Sequence, residues 1–284
     1  MSISPIRAQA PVDRPGRPEV RPEKLLNIAP RLADIDALLG NRLFEKIDLI
    51  GKNIKVYAYS SEGADDTGWG CAWRATQTML SSLDIEVPSY PDLYKDHCTK
   101  AFMQEQFAKL YPREAKKNHP WKAPIEDWHM WADPFVARAI LEKYGIKGSL
   151  FAVNEAPKVL SPNVNDATYS FKEFRDLMVE HFEKEGAALV IDNGSFALNV
   201  LGIGRDGDKT YLLIGDPHLL IDRDDHELNG LYVVELDKEG KQVSIDYPRK
   251  EWNFEDELNG FSYEKVDFSP GTKWLVTQAR QYAS

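Results

Sequence analysis

With 284 residues, 43% hydrophobic and 11% aromatic content, the chain can bury one sizeable core or two modest ones, and one large domain is the default. A formal charge of -10 argues against nucleic acid or an anionic membrane as the main partner, because both reward clustered Lys and Arg, whereas an acidic face suits a basic protein surface. The two cysteines, Cys71 and Cys98, have no C-x-x-C spacing and the chain has no membrane-length apolar run and no apolar signal core, so a soluble, cytoplasmic, reducing setting is expected.

Residues 1–24, "MSISPIRAQAPVDRPGRPEVRPEK", carry prolines at 5, 11, 15, 18 and 22 and little that could pack. They read as a disordered tail, with 25–284 as a single domain. From Leu25 to Lys46 the apolar positions Leu26, Ile28, Leu32, Ile35, Leu38, Leu39 and Leu43 fit one or two short helices, after which "NIKVYAY" alternates like a strand. Ala72 to Leu83 places a buried stripe on one helical face, with Cys71 at its N-terminus. Between Pro88 and Pro134, where Trp121, Trp128 and Trp131 cluster, a helix-containing insertion is expected. "DPFVARAILEKYG" is a helix with Pro134 at its start and Gly145 past its end. "IKGSLFAV" reads as a strand, Phe171 to Glu185 as a helix, and "AALVI", "FALNVLGI", "TYLLIGDPH", "GLYVVEL", "VSIDY" and "TKWLVTQA" as strands. Helices followed by a mostly antiparallel sheet make an α+β fold.

Two patterns mislead by letter. Gly202-Ile203-Gly204-Arg205-Asp206-Gly207 matches G-x-G-x-x-G, but a dinucleotide fingerprint needs a helix to open there, and "DKTYLLI" is a strand. With Asp206-Gly207 in the turn, a β-hairpin is the better reading. Histidines 97, 119, 129, 181, 218 and 226 lack the i, i+4 pairing of a helical zinc site. No metal or cofactor is expected.

Cys71 follows Gly68, Trp69 and Gly70. Glycines permit tight backbone and close approach of another chain, and a cysteine in the first turn of a helix gains from unpaired N–H groups that favour thiolate and can hold an oxyanion. A small apolar residue beginning a buried helix is the plain alternative. Asp216-Pro217-His218 ends a strand. In extended chain i and i+2 share a face, so carboxylate and imidazole would project together, the arrangement a Cys-His base pair needs. An ordinary strand-end turn is the alternative here.

Together, "DDTGWGCAWRATQTML" resembles the active-site cysteine motif D-x-G-W-G-C-x-x-R of the ubiquitin-fold-modifier-specific proteases (the UfSP family) and the related autophagy-type cysteine proteases, and "GDPH" resembles their Asp-Pro-His box. "MWADPFVARAIL" is similar to the tryptophan-plus-helix segment both carry, and "ALVIDNGSFALNVLGIGRDGDKTYLLIGDPH" follows the UfSP hairpin more closely than the autophagy one. The resemblance covers roughly Val56 to Leu220. It implies a papain-like thiol protease that cuts after the C-terminal glycine of a ubiquitin-like modifier, with Cys71 as nucleophile, His218 as base and Asp216 as its orienter. Some relatives take their histidine from the earlier strand, at the position of Leu198, but no histidine lies between 182 and 217. The family's oxyanion tyrosine lies upstream of the cysteine, which nominates Tyr59, 12 residues before Cys71, with Tyr57 as the fallback. The modifier's tail is expected to run past Trp69, Gly70 and Trp131. Where UfSP relatives have a glycine-rich turn, this chain reads "DNGSF" at Asp192 to Phe196.

The expectation is a cytoplasmic cysteine peptidase that removes or matures ubiquitin or a ubiquitin-like modifier, with its conjugates as partners. A catalytically dead modifier-binding protein is the rival reading, and a thiol transferase or amidase on the same scaffold a third. The N-terminal tail suits a linker or an address for delivery into a host cell, and composition does not choose between them.

Overall fold

The computed structural model describes residues 31–32, 44–51, 54–59, 62, 66, 70–83, 85–97, 134–154, 167–184, 186–193, 196–218, 230–246, 266–272 and 274–280. In chain order the elements are β1 (Arg31–Leu32), a 3-10 turn (Phe44–Lys46), β2 (Leu49–Ile50), β3 (Lys55–Val56), α1 (Cys71–Ser81), α2 (Tyr90–His97), α3 (Pro134–Lys143), β4 (Lys147–Val153), β5 (Ala167–Tyr169), α4 (Phe171–Lys184), β6 (Leu189–Asp192), β7 (Ala197–Asp206), β8 (Lys209–Gly215), β9 (Leu231–Leu236), β10 (Gln242–Asp246) and β11 (Trp274–Arg280). The main sheet runs β10-β9-β8-β7-β6-β11-β4-β5, with β2 joined to β7, and every pairing in it is antiparallel except β4 with β5. β1 and β3 form a separate antiparallel pair.

The middle strands are buried along almost their whole length, so they read as near-continuous apolar runs, and the alternation of side chains decides which face each residue joins. On one face Leu150, Ala152, Val190 and Leu275 pack with Trp73 and Leu80 of α1 and Ile140 of α3. On the other, Phe151, Val153, Leu189, Ile191 and Val276 pack with Phe174, Met178 and Phe182 of α4. The last strand in sequence, β11, lies in the middle of the sheet between β6 and β4. α4 starts with a reciprocal cap: the Ser170 backbone N–H donates to Glu173 at 2.8 Å, and the Glu173 N–H returns a bond to the Ser170 hydroxyl at 3.3 Å.

Several expectations change. Arg31–Leu32 form a short strand where a helix was expected, and "NIKVYAY" is strand only at Lys55–Val56, because Tyr57 and Tyr59 turn instead toward α1 and the end of β8. The expected disordered tail and most of the tryptophan-rich insertion lie outside the described residues, although α2 begins that insertion. The "GIGRDG" segment is a β-hairpin, with Asp206 paired to Lys209 across a loop of Gly207 and Asp208, one residue later than the sequence suggests. Its first two glycines answer to packing. A Cβ on Gly202 would lie 2.6 Å from the Leu49 carbonyl oxygen, and one on Gly204 would collide with the Lys46 carbonyl, so glycine lets the 3-10 turn and β2 lie against β7.

Candidate active site

α1 is buried over its first ten residues, and Cys71, its first, is 3% exposed. The N-cap is Gly70, which offers no side-chain cap. Gly70 is glycine for a local reason: the Asp66 side chain sits where its Cβ would be, while the Asp66 carbonyl accepts the Gly70 N–H at 2.9 Å.

Facing this helix start is the end of β8. The strand stops at Gly215, and Pro217 and His218 form a turn, so Asp216 and His218 do not meet by extended i, i+2 alternation. The turn itself joins them: Asp216 Oδ1 accepts the His218 backbone N–H at 2.9 Å and bonds the ring Nδ1 at 2.7 Å. The strand-end turn and the carboxylate–imidazole pair are therefore the same feature. Asp216 is fixed further by its backbone N–H to Gly230 O at 2.7 Å and by the Tyr232 hydroxyl, which donates to Oδ2 at 3.3 Å.

His218 also interacts with Cys71, by charge and by a side-chain hydrogen bond. Burial alone would strip the imidazole of its proton, but the neighbouring Asp216 and Cys71 outweigh it and raise His218 from 6.5 to about 10. Tyr59, fully buried, donates its backbone N–H to Pro217 O at 2.9 Å, meets the His218 ring edge-on at 5.2 Å, and hydrogen-bonds Cys71 through its hydroxyl. Burial, then the Cys71 and Asp66 charges, pushes its phenol well above the ordinary value, which keeps it a proton donor. Tyr57 points elsewhere. Its N–H donates to Thr78 Oγ1 at 3.1 Å, and its phenol is pushed up to about 12 by burial and by Glu62, partly opposed by Arg74.

Of the residues nominated from sequence, Cys71, Asp216, His218 and Tyr59 come together, and Gly70 adjoins them. Trp69 and Trp131 lie outside the described residues, as does Cys98. Leu198 sits in the core cluster on the α4 face, whereas Cys71 belongs to the α1 face, so a side chain there is turned away from the sulfur. Sequence reasoning missed Phe196, whose ring meets His218 at 5.2 Å, and Tyr232. The odd "DNGSF" turn hinted at the first. Nothing local hinted at Tyr232, which reaches Asp216 only through the pairing of β8 with β9.

The chain matches the family model described as "Peptidase family C78" over residues 45–246. It is 26% identical over 183 residues to a "Probable Ufm1-specific protease" of Oryza sativa subsp. japonica, covering 61% of this chain and 24% of that protein. It is 25% identical over 170 residues to a "Ufm1-specific protease" of Caenorhabditis elegans, covering 56% and 24%, and 22% identical over 179 residues to "Ufm1-specific protease 2" of Gallus gallus, covering 60% and 32%. The chain thus spans about a quarter to a third of the length of these curated relatives. A solved structure, "Crystal structure of UfSP from C.elegans", matches with a TM-score of 0.53 at 16% identity over 90% of this chain and 38% of that one. That likeness shows the expected papain-like α+β fold. The family match takes in well over half of the chain and includes Tyr59, Cys71, Asp216 and His218, so the chain belongs to peptidase family C78.

Proposed function

We propose that this chain is a cysteine peptidase that cleaves after the C-terminal glycine of a ubiquitin-like modifier, freeing it from a precursor or a conjugate. The observation that carries the reading is the gathering of Asp216, His218, Cys71 and Tyr59: Asp216 bonds the His218 ring, Tyr59 meets that ring edge-on at 5.2 Å, and Cys71 acts on the proton affinity of both. Asp216 holds Nδ1, which fixes the ring and supports its protonated form, and His218 holds the sulfur as thiolate. The thiolate attacks the carbonyl carbon of the terminal glycine. As the carbonyl oxygen becomes negative, the Tyr59 hydroxyl and the Cys71 backbone N–H at the start of α1 receive it. Collapse of the intermediate breaks the C–N bond, with the imidazolium giving its proton to the leaving amine and a thioester left on Cys71. His218, now neutral, takes a proton from water, the hydroxide attacks the thioester, and the modifier departs with a free carboxylate.

The matched relatives are named for Ufm1, so Ufm1 heads the substrates to try, with ubiquitin and other modifiers beside it. The test is a panel of modifiers carrying a C-terminal electrophile. Wild type is expected to form a covalent adduct with at least one, Cys71→Ala to form none, and Cys98→Ala to label normally. An adduct that persists in Cys71→Ala would remove Cys71 from the mechanism. Tight binding of a modifier with no adduct and no turnover would favour a binding protein instead.

A further inference from the structure

Arg74 stands one helical turn from Cys71, and its side chain is fully buried. Nε and Nη2 donate side by side to Asp66 Oδ2 and Oδ1 at 2.8 and 3.1 Å, while Nη1 donates to Glu62 Oε2 at 3.1 Å and Gln77 Oε1 at 3.0 Å. The guanidinium lies over the Tyr90 ring, 4.2 Å from its centroid. Glu62 Oε2 also accepts from Gln77 Nε2 at 2.9 Å and from the Tyr90 backbone N–H at 3.0 Å.

Stability does not account for such a cluster. Taking a guanidinium and a carboxylate out of water costs about what their attraction returns, so a well-packed apolar group would serve stability as well. Glu62 is held, besides, at φ +60, a backbone region that residues other than glycine avoid unless their surroundings fix them there. What the cluster accomplishes is geometric. Each described residue between Tyr59 and Cys71 is tied to the guanidinium: Glu62 and Asp66 directly, and Gly70 through Asp66, which fills its Cβ position and accepts its N–H. The ends of that stretch are the Tyr59 hydroxyl and the Cys71 sulfur, which meet.

We infer that Arg74 is a positioning residue: it holds Glu62, Asp66 and, through Asp66, Gly70 on one planar fork of donors and so sets the Tyr59 hydroxyl against the sulfur. The inference rests on the function proposed above and adds to it a residue that acts through Tyr59. Lysine cannot replace it, because a point charge does not hold Asp66 by two parallel bonds while reaching Glu62 and Gln77 in the same plane.

The test is a double-mutant cycle in the full chain, crossing Arg74→Lys with Tyr59→Phe, with Tyr169→Phe in β5, whose ring lies against Phe151, as the control tyrosine. Turnover is read on the aminomethylcoumarin derivative of whichever modifier labels Cys71. The same cycle is read on the rate of Cys71 alkylation by iodoacetamide, which needs no modifier. Glu62→Asn is the second variant: asparagine tolerates the left-handed backbone but is too short to reach Arg74, and it leaves the buried Asp66–Arg74 pair in place. Tyr59→Phe alone is expected to lower kcat about 10²-fold with KM nearly unchanged. Arg74→Lys and Glu62→Asn are each expected to lower kcat about tenfold, and in those backgrounds the Tyr59→Phe loss should shrink below about tenfold, since interacting residues do not add. Tyr169→Phe should keep its small effect in every background. Equal Tyr59→Phe losses in all backgrounds, or losses that track only the folded fraction in thermal melts, would overturn the inference. If wild type neither labels nor turns over, the proposed function fails, and the alkylation cycle still decides whether Arg74 and Tyr59 are coupled.

Discussion

His218 is where the electrostatics of the site concentrate. It is nearly buried, with its side chain 8% exposed, which by itself would favour neutral imidazole, yet it is held at about 10 because Asp216 and Cys71 flank it. The imidazolium therefore persists through neutral pH, as the general-acid role proposed for it requires. If kcat/KM follows this group in the free enzyme, activity should be flat across neutral pH and fall as pH rises through about 10. Asp216→Asn removes the largest of the effects that raise it, so the alkaline fall should move to lower pH, along with a loss in rate. The linked stability has the same sign: a raised imidazole stabilises the fold fully below its ordinary 6.5, and that contribution is lost as pH climbs through about 10. A pH–rate profile of wild type and Asp216→Asn, with urea unfolding at pH 6 and pH 10, checks both. An alkaline limb that stays in place in Asp216→Asn would mean that the carboxylate does not tune the ring.

At the scale of elements, the site is a junction between the start of α1 and the end of β8, and cross-links hold the two in register. The side-chain amide of buried Asn199 in β7 donates to Ala75 O in α1 at 2.9 Å and to Leu189 O in β6 at 3.1 Å, pinning the helix to the sheet. Ser81 Oγ accepts the Lys55 N–H at 2.8 Å and donates to the Lys55 carbonyl at 3.1 Å, fastening the tyrosine-bearing segment to the far end of α1. β7 has a second task, since its β6 side passes to β2 where the glycines stand. A methyl group on Gly204 meets the Lys46 carbonyl, a backbone atom that cannot swing away. Gly204→Ala is accordingly expected to cost ~1–3 kcal/mol in urea unfolding, as overpacking does, while the surviving folded protein keeps its kcat. A cost near zero would mean that the 46–50 segment is not seated against β7 in solution.

For the molecule as a whole, the sheet separates two apolar layers, with α1 and α3 on one face and α4 on the other, and Tyr59 and Cys71 belong to the α1 side. No helix among the described residues is long and apolar enough to cross a membrane. Residues 1–24 lie outside both the described residues and the family match, which begins at residue 45. Five prolines and few large apolar side chains give that segment little to bury. Its deletion is expected to leave the thermal midpoint and turnover of a soluble substrate nearly unchanged. A large fall in the midpoint would show that the segment packs on the domain.

The sequence by itself determined the elements whose signals are local. The helix at Cys71–Ser81, the helix after Pro134, the buried strands and the hairpin at Asp206–Lys209 all follow from periodicity, from Pro and Gly punctuation and from turn chemistry carried within a dozen residues. So did the nomination of Cys71, Asp216 and His218, through motifs equally short. Tertiary structure decided what depends on contacts distant in sequence. It placed β11 in the middle of the sheet and left "NIKVYAY" only two residues of strand, because a strand exists by its neighbours and not by its alternation alone. It set Tyr59 and Tyr57, two residues apart and alike in sequence, against different neighbours, because the Pro217 carbonyl takes one N–H and Thr78 of α1 the other. It made Asp216 and His218 meet through a turn, supplied Tyr232 from the next strand, and buried Arg74 among Asp66, Glu62 and Tyr90. A side chain's partners across the chain are set only when the whole core has closed around it, and no local pattern encodes them.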